Sequence, residues 1–502
     1  MKKIKINFYH GIQLFIYDLV FILHLGIAFI IRWPYVFTER MESDEALYAW
    51  CAQRIYAHPS IIFSKEIIEY HPPFFSLILS LGNISSDPHV AYRVMALIFS
   101  LLGIVSIYIL GTVLSSRFVG LVCAILLTFN YLYLLDGTLI MPDVPLLVLC
   151  NLLLIILAKV NITSGVSRHI CIGIISALII LVKWSGIVVI PFLIAYYLLF
   201  PRERSLSFKI RKLFIPLTIV SGLILFLMIN NQIQLRSLLP DVDTLTGRGH
   251  EVSPLWFYVG NIHNILMILY ILPLFFYGVH IILRTNYRYK ILLLTYLIIF
   301  LASISLTPVK VLRYSLMILP VVLIICGLGL EELLNQFYKK SKKIWIGKVI
   351  AICVIYLLCW HYYPKMEILL KRSFSTSTGL AEAGQWIKQN TDANTTIISQ
   401  NLRPIRYFSG INFHQFGGQL LLLPQHKTDF EHLVIKTKGH IILQVDLWSE
   451  SNPSDFYPFS KAKQEEHYFN SLGFRLSKEI KREVYFRDNK KGMIPVIKLY
   501  ER

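Results

Sequence analysis

MKKIKINFYHGIQLFIYDLVFILHLGIAFIIRWP, residues 1–34, decides how the rest of this chain is read. Its basic start resembles that of a secretory signal peptide. The apolar segment behind it, 12–31, is longer than a signal core and has no small-residue cleavage site. It therefore reads as an uncleaved first membrane helix, since about 20 apolar residues cross the hydrocarbon of a bilayer.

Further apolar spans follow near 90–113, 119–136, 144–159, 170–184, 186–200, 213–230, 257–283, 291–306, 312–333 and 344–362. The whole composition agrees: of 502 residues 55% are hydrophobic and only 16% charged, with mean hydropathy +0.58. A soluble chain carries roughly a quarter charged residues. The net charge of +19 would suit a nucleic-acid partner if it were gathered on one surface. It falls instead in short clusters between apolar spans, so it sets membrane orientation and no nucleic acid is expected.

Those clusters are Lys2, Lys3 and Lys5; Arg117; Lys159 and Arg168; Arg202 to Lys212; Arg284 to Lys290; and Lys339 to Lys343. With eleven alternating spans they all share one side, which the positive-inside rule makes cytoplasmic. The N-terminus is then inside and the tail outside. The expected fold class is a mainly α polytopic membrane bundle, residues 1–363 with an outer loop at 32–89, followed by an extracytoplasmic α/β domain at 364–502. In that tail AEAGQWIKQN reads as an amphipathic helix, and TTIISQ, HIILQVD, REVYF and VIKLYER read as strands.

Of the seven cysteines only Cys51 stands in a polar stretch, and none follows Cys359. They form no metal-ligand spacing and no disulfide framework for the tail. Together with the basic inner loops this suits a bacterial plasma membrane, and an archaeal or endoplasmic reticulum membrane also fits.

The outer side holds the unusual polar residues. In MESDEALYAW, Ser43 would cap a helix with Asp44 and Glu45 in its first turn, which needs no function beyond helix stability. In EYHPPFFSLIL, Pro72 and Pro73 fix an extended backbone behind His71, and the plain reading is a turn before a helix. In LLDGTLIMPDVPLLVL, Asp143 stands between Pro142 and Pro145, which suit a helix start. Lys183 in LVKWSG either snorkels to the interface or neutralises something. SLTPVKVLRYSLMILP places Lys310, Arg313 and Tyr314 at an outer span end. Outer cations are what the positive-inside rule disfavours. Three of them, with three acids on the same side, point to a shared site.

In order and topology these pieces resemble the GT-C membrane glycosyltransferases, and within them the protein O-mannosyltransferase and aminoarabinose transferase group. The resemblance rests on the Asp44-Glu45 pair, His71-Pro72-Pro73, Arg93, Asp143 in PDVPLL, Lys183 at a span end, and Arg313-Tyr314 in RYSLMILP, and covers about 30–330. It implies an inverting transfer of a sugar from a polyprenyl-phosphate donor to an acceptor hydroxyl on a lipid, protein or glycan. Asp44 would be the base. Glu45 and Arg93 would join the substrate site, and Lys183, Arg313 and Tyr314 would bind phosphate. Asp143 would orient the acceptor or help hold a divalent metal ion, and His71 would take metal or phosphate. Relatives carry a Glu-Lys pair where this chain has Tyr70-His71, and the nearest counterparts of their later-loop histidine are His250 and His263. Asp241 and Asp243 resemble a nucleotide-sugar metal motif, but they fall outside the cytoplasm and read as a solvated loop. The alternatives are a lipid-linked glycan polymerase or ligase, which would depend on larger outer loops, and a transporter, in which the outer charges would form a gate.

Overall fold

The structure is a computed structural model that describes residues 2–502 except 69–70, 160–164, 200–205, 230–256, 262–270, 286, 308–309, 339–343, 376, 393, 400, 412–418, 424–426, 438, 448–461 and 486–490. It divides into two compact units. One comprises Met1–Val36 and Ala52–Tyr363, the other Phe37–Cys51 and Pro364–Arg502.

Among its described residues, the regular elements of the first unit are all helices. Among the described residues, Phe15–Phe37, Pro88–Leu114, Leu206–Ile229, Leu319–Phe337 and Ile344–Asn390 each contain a stretch long and apolar enough to cross a membrane. Shorter apolar helices, including Arg117–Thr128, Val166–Val182, Leu272–Arg284 and Lys290–Leu306, fill the intervals. Local chemistry sets the starts. Asp87 accepts the Val90 N–H at 3.1 Å ahead of Pro88, and Ser116 accepts the Val119 N–H at 3.3 Å. The hairpin between these two helices closes where Gly111 meets Gly120, since a Cβ on Gly111 would lie 2.8 Å from the Gly120 Cα. Small residues let membrane helices approach this closely.

The span expected over 119–136 is not one helix. It ends at Thr128, and Asn130 caps a new turn, Tyr131–Asp136, by accepting the Tyr133 N–H at 3.1 Å. A long-range cation stabilises the break: buried Arg32 donates to the Thr128 carbonyl at 3.2 Å, the Ala28 carbonyl at 3.1 Å and Ser100 Oγ at 2.8 Å. Carbonyls freed at a helix end inside a bilayer need such a donor. The span expected over 312–333 likewise begins as a tight 3₁₀ turn, Leu312–Met317, before the helix Leu319–Phe337. Part of 257–283 lies outside the described residues. The last apolar helix continues through Pro364 to Ser375, beyond the expected end at 362.

The second unit is built on a five-stranded sheet: β1 Thr396–Ser399, β2 Leu420–Leu422, β3 Ile441–Asp446, β4 Arg475–Tyr485 and β5 Lys491–Glu501, in the order β2-β1-β3-β5-β4. The strand β1 is parallel to β2 and β3, and β5 is antiparallel to β3 and β4. Strand alternation divides the core in two. Ile397, Ile442 and Ile497 face the helices Leu380–Asn390 and Leu402–Ser409. Ile398, Leu443 and Tyr500 face Phe430, Val434 and Phe469 of the helices Lys427–Lys436 and Ala462–Ser471.

Residues 37–51 group with this unit instead of with the rest of the loop 32–89. The Met41 N–H donates to the Ser377 carbonyl at 3.3 Å, and Arg482 pairs with Glu39 at 2.8 Å. Buried Arg40 donates to Ser373 Oγ at 2.6 Å and pairs with Glu42.

Candidate active site

The sequence-predicted residues fall into both units. In the membrane unit, Asp143 opens the helix Asp143–Lys159 directly after Pro142, whose carbonyl accepts the Leu146 N–H at 2.9 Å. Its carboxylate stands where the helix dipole favours negative charge. Lys183 follows the last residue of the helix Val166–Val182 in extended conformation, and its carbonyl accepts the Gly186 N–H at 2.8 Å. This turn sends the side chain to Asp143, with Nζ 2.6 Å from Oδ1. Asp143 is 2% exposed and Lys183 16%, so a buried carboxylate is matched by a cation that still reaches the edge of the protein.

Tyr314 completes the group, its ring centroid 4.8 Å from Lys183 Nζ, a cation–π distance. It sits on the Leu312–Met317 turn, which packs on the Asp143 helix and carries half-buried Arg313. Nearby in sequence, buried Lys310 donates to the Thr307 carbonyl at 2.8 Å. Three segments distant in sequence thus meet at one ammonium. The second carboxylate oxygen of Asp143, Oδ2, is buried with no hydrogen-bond partner among the described residues.

Arg93 is fully buried and donates to the Thr138 carbonyl at 2.7 Å, with His89 Nε2 3.4 Å from its Nε. It braces the segment that leads into Asp143. His71 is half-buried ahead of Pro72, which caps the helix Pro73–Ser80 from φ −59°, ψ 144°, the extended geometry expected of a Pro-Pro pair.

The acid pair lies in the second unit. Glu42, one residue before the expected cap Ser43, precedes the helix Ser43–Ala57, and its carbonyl accepts the Ala46 N–H at 2.9 Å. Fully buried Glu45 reaches back to accept the Glu42 N–H at 3.0 Å, one half of a capping box. Asp44 points elsewhere: its Oδ1 accepts from Arg403 Nη1 at 2.9 Å, with side-chain exposures of 33% and 36%. One turn further on, the Arg406 guanidinium lies 4.1 Å from the Trp50 ring centroid. Sequence reading missed both arginines. LRPIRYF shows two cations three residues apart in a helix, but nothing local ties them to a segment some 350 residues earlier.

At Asp143 the Lys183 ammonium stands on Oδ1, so Oδ2 is the oxygen of this carboxylate that would remain for a divalent ion. No group of three or more His, Cys, Asp or Glu able to hold a metal occurs among the described residues. Glu69, Tyr70, Asp241, Asp243, His250 and His263 lie outside them.

Residues 70–229 match the family model described as dolichyl-phosphate-mannose-protein mannosyltransferase. No curated protein matches by sequence. The fold is similar to ArnT from Cupriavidus metallidurans in the apo state, with TM-score 0.62 at 11% identity over 96% of this chain and 97% of that one. It is similar as well to the same protein bound to undecaprenyl phosphate, with TM-score 0.60 at 12% identity over 95% and 97%. The archaeal oligosaccharyltransferase AglB from Archaeoglobus fulgidus, in complex with an inhibitory peptide and a dolichol-phosphate, matches with TM-score 0.55 at 13% identity over 95% of this chain and 74% of that one.

Proposed function

We propose that this chain, a membrane glycosyltransferase of the GT-C type, moves a sugar from a polyprenyl-phosphate carrier to an acceptor hydroxyl on the non-cytoplasmic face, inverting the anomeric carbon. The observation that carries the reading is the Lys183 ammonium, held 2.6 Å from Asp143 and 4.8 Å from the Tyr314 ring at a helix end. A cation costs several kcal/mol to keep near hydrocarbon. One fixed by two partners from separate segments has a use that orientation does not supply.

Asp44 takes the proton from the acceptor hydroxyl. The freed oxygen forms a bond to the anomeric carbon, and the bond from that carbon to the phosphate oxygen breaks, its electron pair leaving with the lipid phosphate. Lys183 and Arg313 stabilise the departing charge, and Tyr314 donates to a phosphate oxygen. Asp143 holds Lys183 in place. Arg93 keeps the approach to Asp143 rigid, and His71 lines the phosphate side. Glu45 serves the site by capping the Asp44 helix. In this reading the N-terminus lies in the cytoplasm and the C-terminal unit outside, which the basic clusters between apolar spans support. The acceptor is a lipid, protein or cell-envelope glycan.

The test is to delete the gene in its host, identify the polyprenyl-phosphate sugar that accumulates, and complement with wild type or Asp44→Asn at equal membrane levels. Wild type clears the lipid. The Asn variant slows transfer by roughly 10²–10⁴-fold, the usual cost of a lost general base. Clearance by Asp44→Asn at the wild-type rate would remove Asp44 from the chemistry. Absence of any accumulated lipid-linked sugar on deletion would refute the donor class.

A further inference from the structure

We infer that Arg403, in the C-terminal unit, is the positioning residue for Asp44, so that the orientation of the proposed base is set by the soluble sheet domain. The inference rests on Asp44 being that base and extends it to a residue 359 positions away.

The geometry begins at the carboxyl end of β1. Ser399 and Gln444 are fully buried on neighbouring strands β1 and β3; the Ser399 hydroxyl donates to Gln444 Oε1 at 2.6 Å and accepts the Asn401 N–H at 2.9 Å. That pair fixes the point at which the helix Leu402–Ser409 leaves the sheet. Pro404, buried in its first turn, limits the backbone there further. Two arginines three residues apart project from one face of this helix. Arg403 holds Asp44 Oδ1 at 2.9 Å, and Arg406 covers Trp50 at 4.1 Å. Contacts six residues apart on Ser43–Ala57 stop that helix from turning about its own axis. The capping bond of Glu45 fixes its first turn.

Neither group of the ion pair is deeply buried, so it adds little to stability. Its value is directional. A planar guanidinium on a pinned helix holds a carboxylate in one rotamer, and small misplacements of a catalytic group are costly to rate. Arg403 itself need touch neither donor nor acceptor.

The experiment uses the full-length chain in the deletion host described above, reading the accumulated polyprenyl-phosphate sugar by mass spectrometry and the unfolding temperature of each purified variant in detergent. Arg403→Gln is expected to unfold at the wild-type temperature yet slow clearance by roughly 10²-fold. Arg403→Lys recovers part of the rate. The exchanged pair, Asp44→Arg with Arg403→Asp, keeps the unfolding temperature and clears nothing, because the ion pair is rebuilt without a base at position 44. Wild-type clearance by Arg403→Gln overturns the inference, as does restored clearance in the exchanged pair, which would make the contact structural only. If Asp44→Asn also clears normally, it is the base assignment that fails; if Asp44→Asn is inactive while Arg403→Gln is normal, only the positioning role fails.

Discussion

Lys183 Nζ and Asp143 Oδ1 stand 2.6 Å apart, joining the end of one apolar helix to the first turn of another. Read from the sequence alone, Lys183 would bind phosphate and Asp143 would orient the acceptor or help hold a metal. The contact makes them one ion pair. On the proposed reading, Arg313 on the adjoining turn adds a second cation to Lys183 for an anionic leaving group.

Breaking this pair from one side is expected to cost more than removing both partners. Lys183→Met leaves the Asp143 carboxylate buried without its cation, a loss of about 3–5 kcal/mol. The double variant Asp143→Asn/Lys183→Met regains most of that stability but no transfer. Unfolding temperature in detergent and clearance of the lipid-linked sugar check the two parts. Transfer restored in the double variant would reduce the pair to a structural tie.

Arg32 offers a test of the fold apart from chemistry. Arg32→Leu removes the donor to Thr128, Ala28 and Ser100, and each buried acceptor left unmatched costs about 1–3 kcal/mol. The expected result is a lower unfolding temperature and lower yield in membranes. Arg32→Lys recovers little, because an ammonium cannot reproduce the fork that spans three acceptors. An unchanged unfolding temperature in Arg32→Leu would show that the interrupted span at Thr128 is held by something else.

The C-terminal unit carries a pH response at Glu382. A hydrogen bond from Lys478, the largest effect, holds its carboxyl below the usual range; burial opposes it, and a weaker hydrogen bond from Arg482 adds to the lowering. A carboxylate whose folded value is depressed contributes stability above its unfolded value, and this is lost as pH falls through the folded value. The side chain is 39% exposed, so screening limits the contribution to at most about 1 kcal/mol. Unfolding temperatures from pH 6 down to pH 3 should fall less for Glu382→Gln than for wild type, with the difference shrinking in high salt. Parallel curves would rule this carboxylate out as a source of acid sensitivity.

Much of the fold is legible in the sequence because lipid and sheet impose simple periods. Long apolar runs mark the helices of the first unit, and the alternation in HIILQVD and VIKLYER marks β3 and β5. The interruption at Thr128 is not legible: FVGLVCAILLTFNYLYLL contains no proline, and its stop depends on Arg32, about 100 residues away. At the site, Asp143 and Lys183 stand out as charges in apolar surroundings, but their pairing arises from two helix ends meeting across 40 residues. Glu45 shows the limit of reading an acid pair as one motif. Neighbouring side chains on a helix point in different directions, so Glu45 turns back to cap while Asp44 turns out to Arg403.

Because Phe37–Cys51 folds with Pro364–Arg502, the module that evolution or an engineer can exchange as one piece is discontinuous. A hybrid given only a foreign tail would present Glu39, Arg40 and Trp50 to surfaces that never matched them. A graft that moves both segments brings its own seam, and with it the local setting of Asp44.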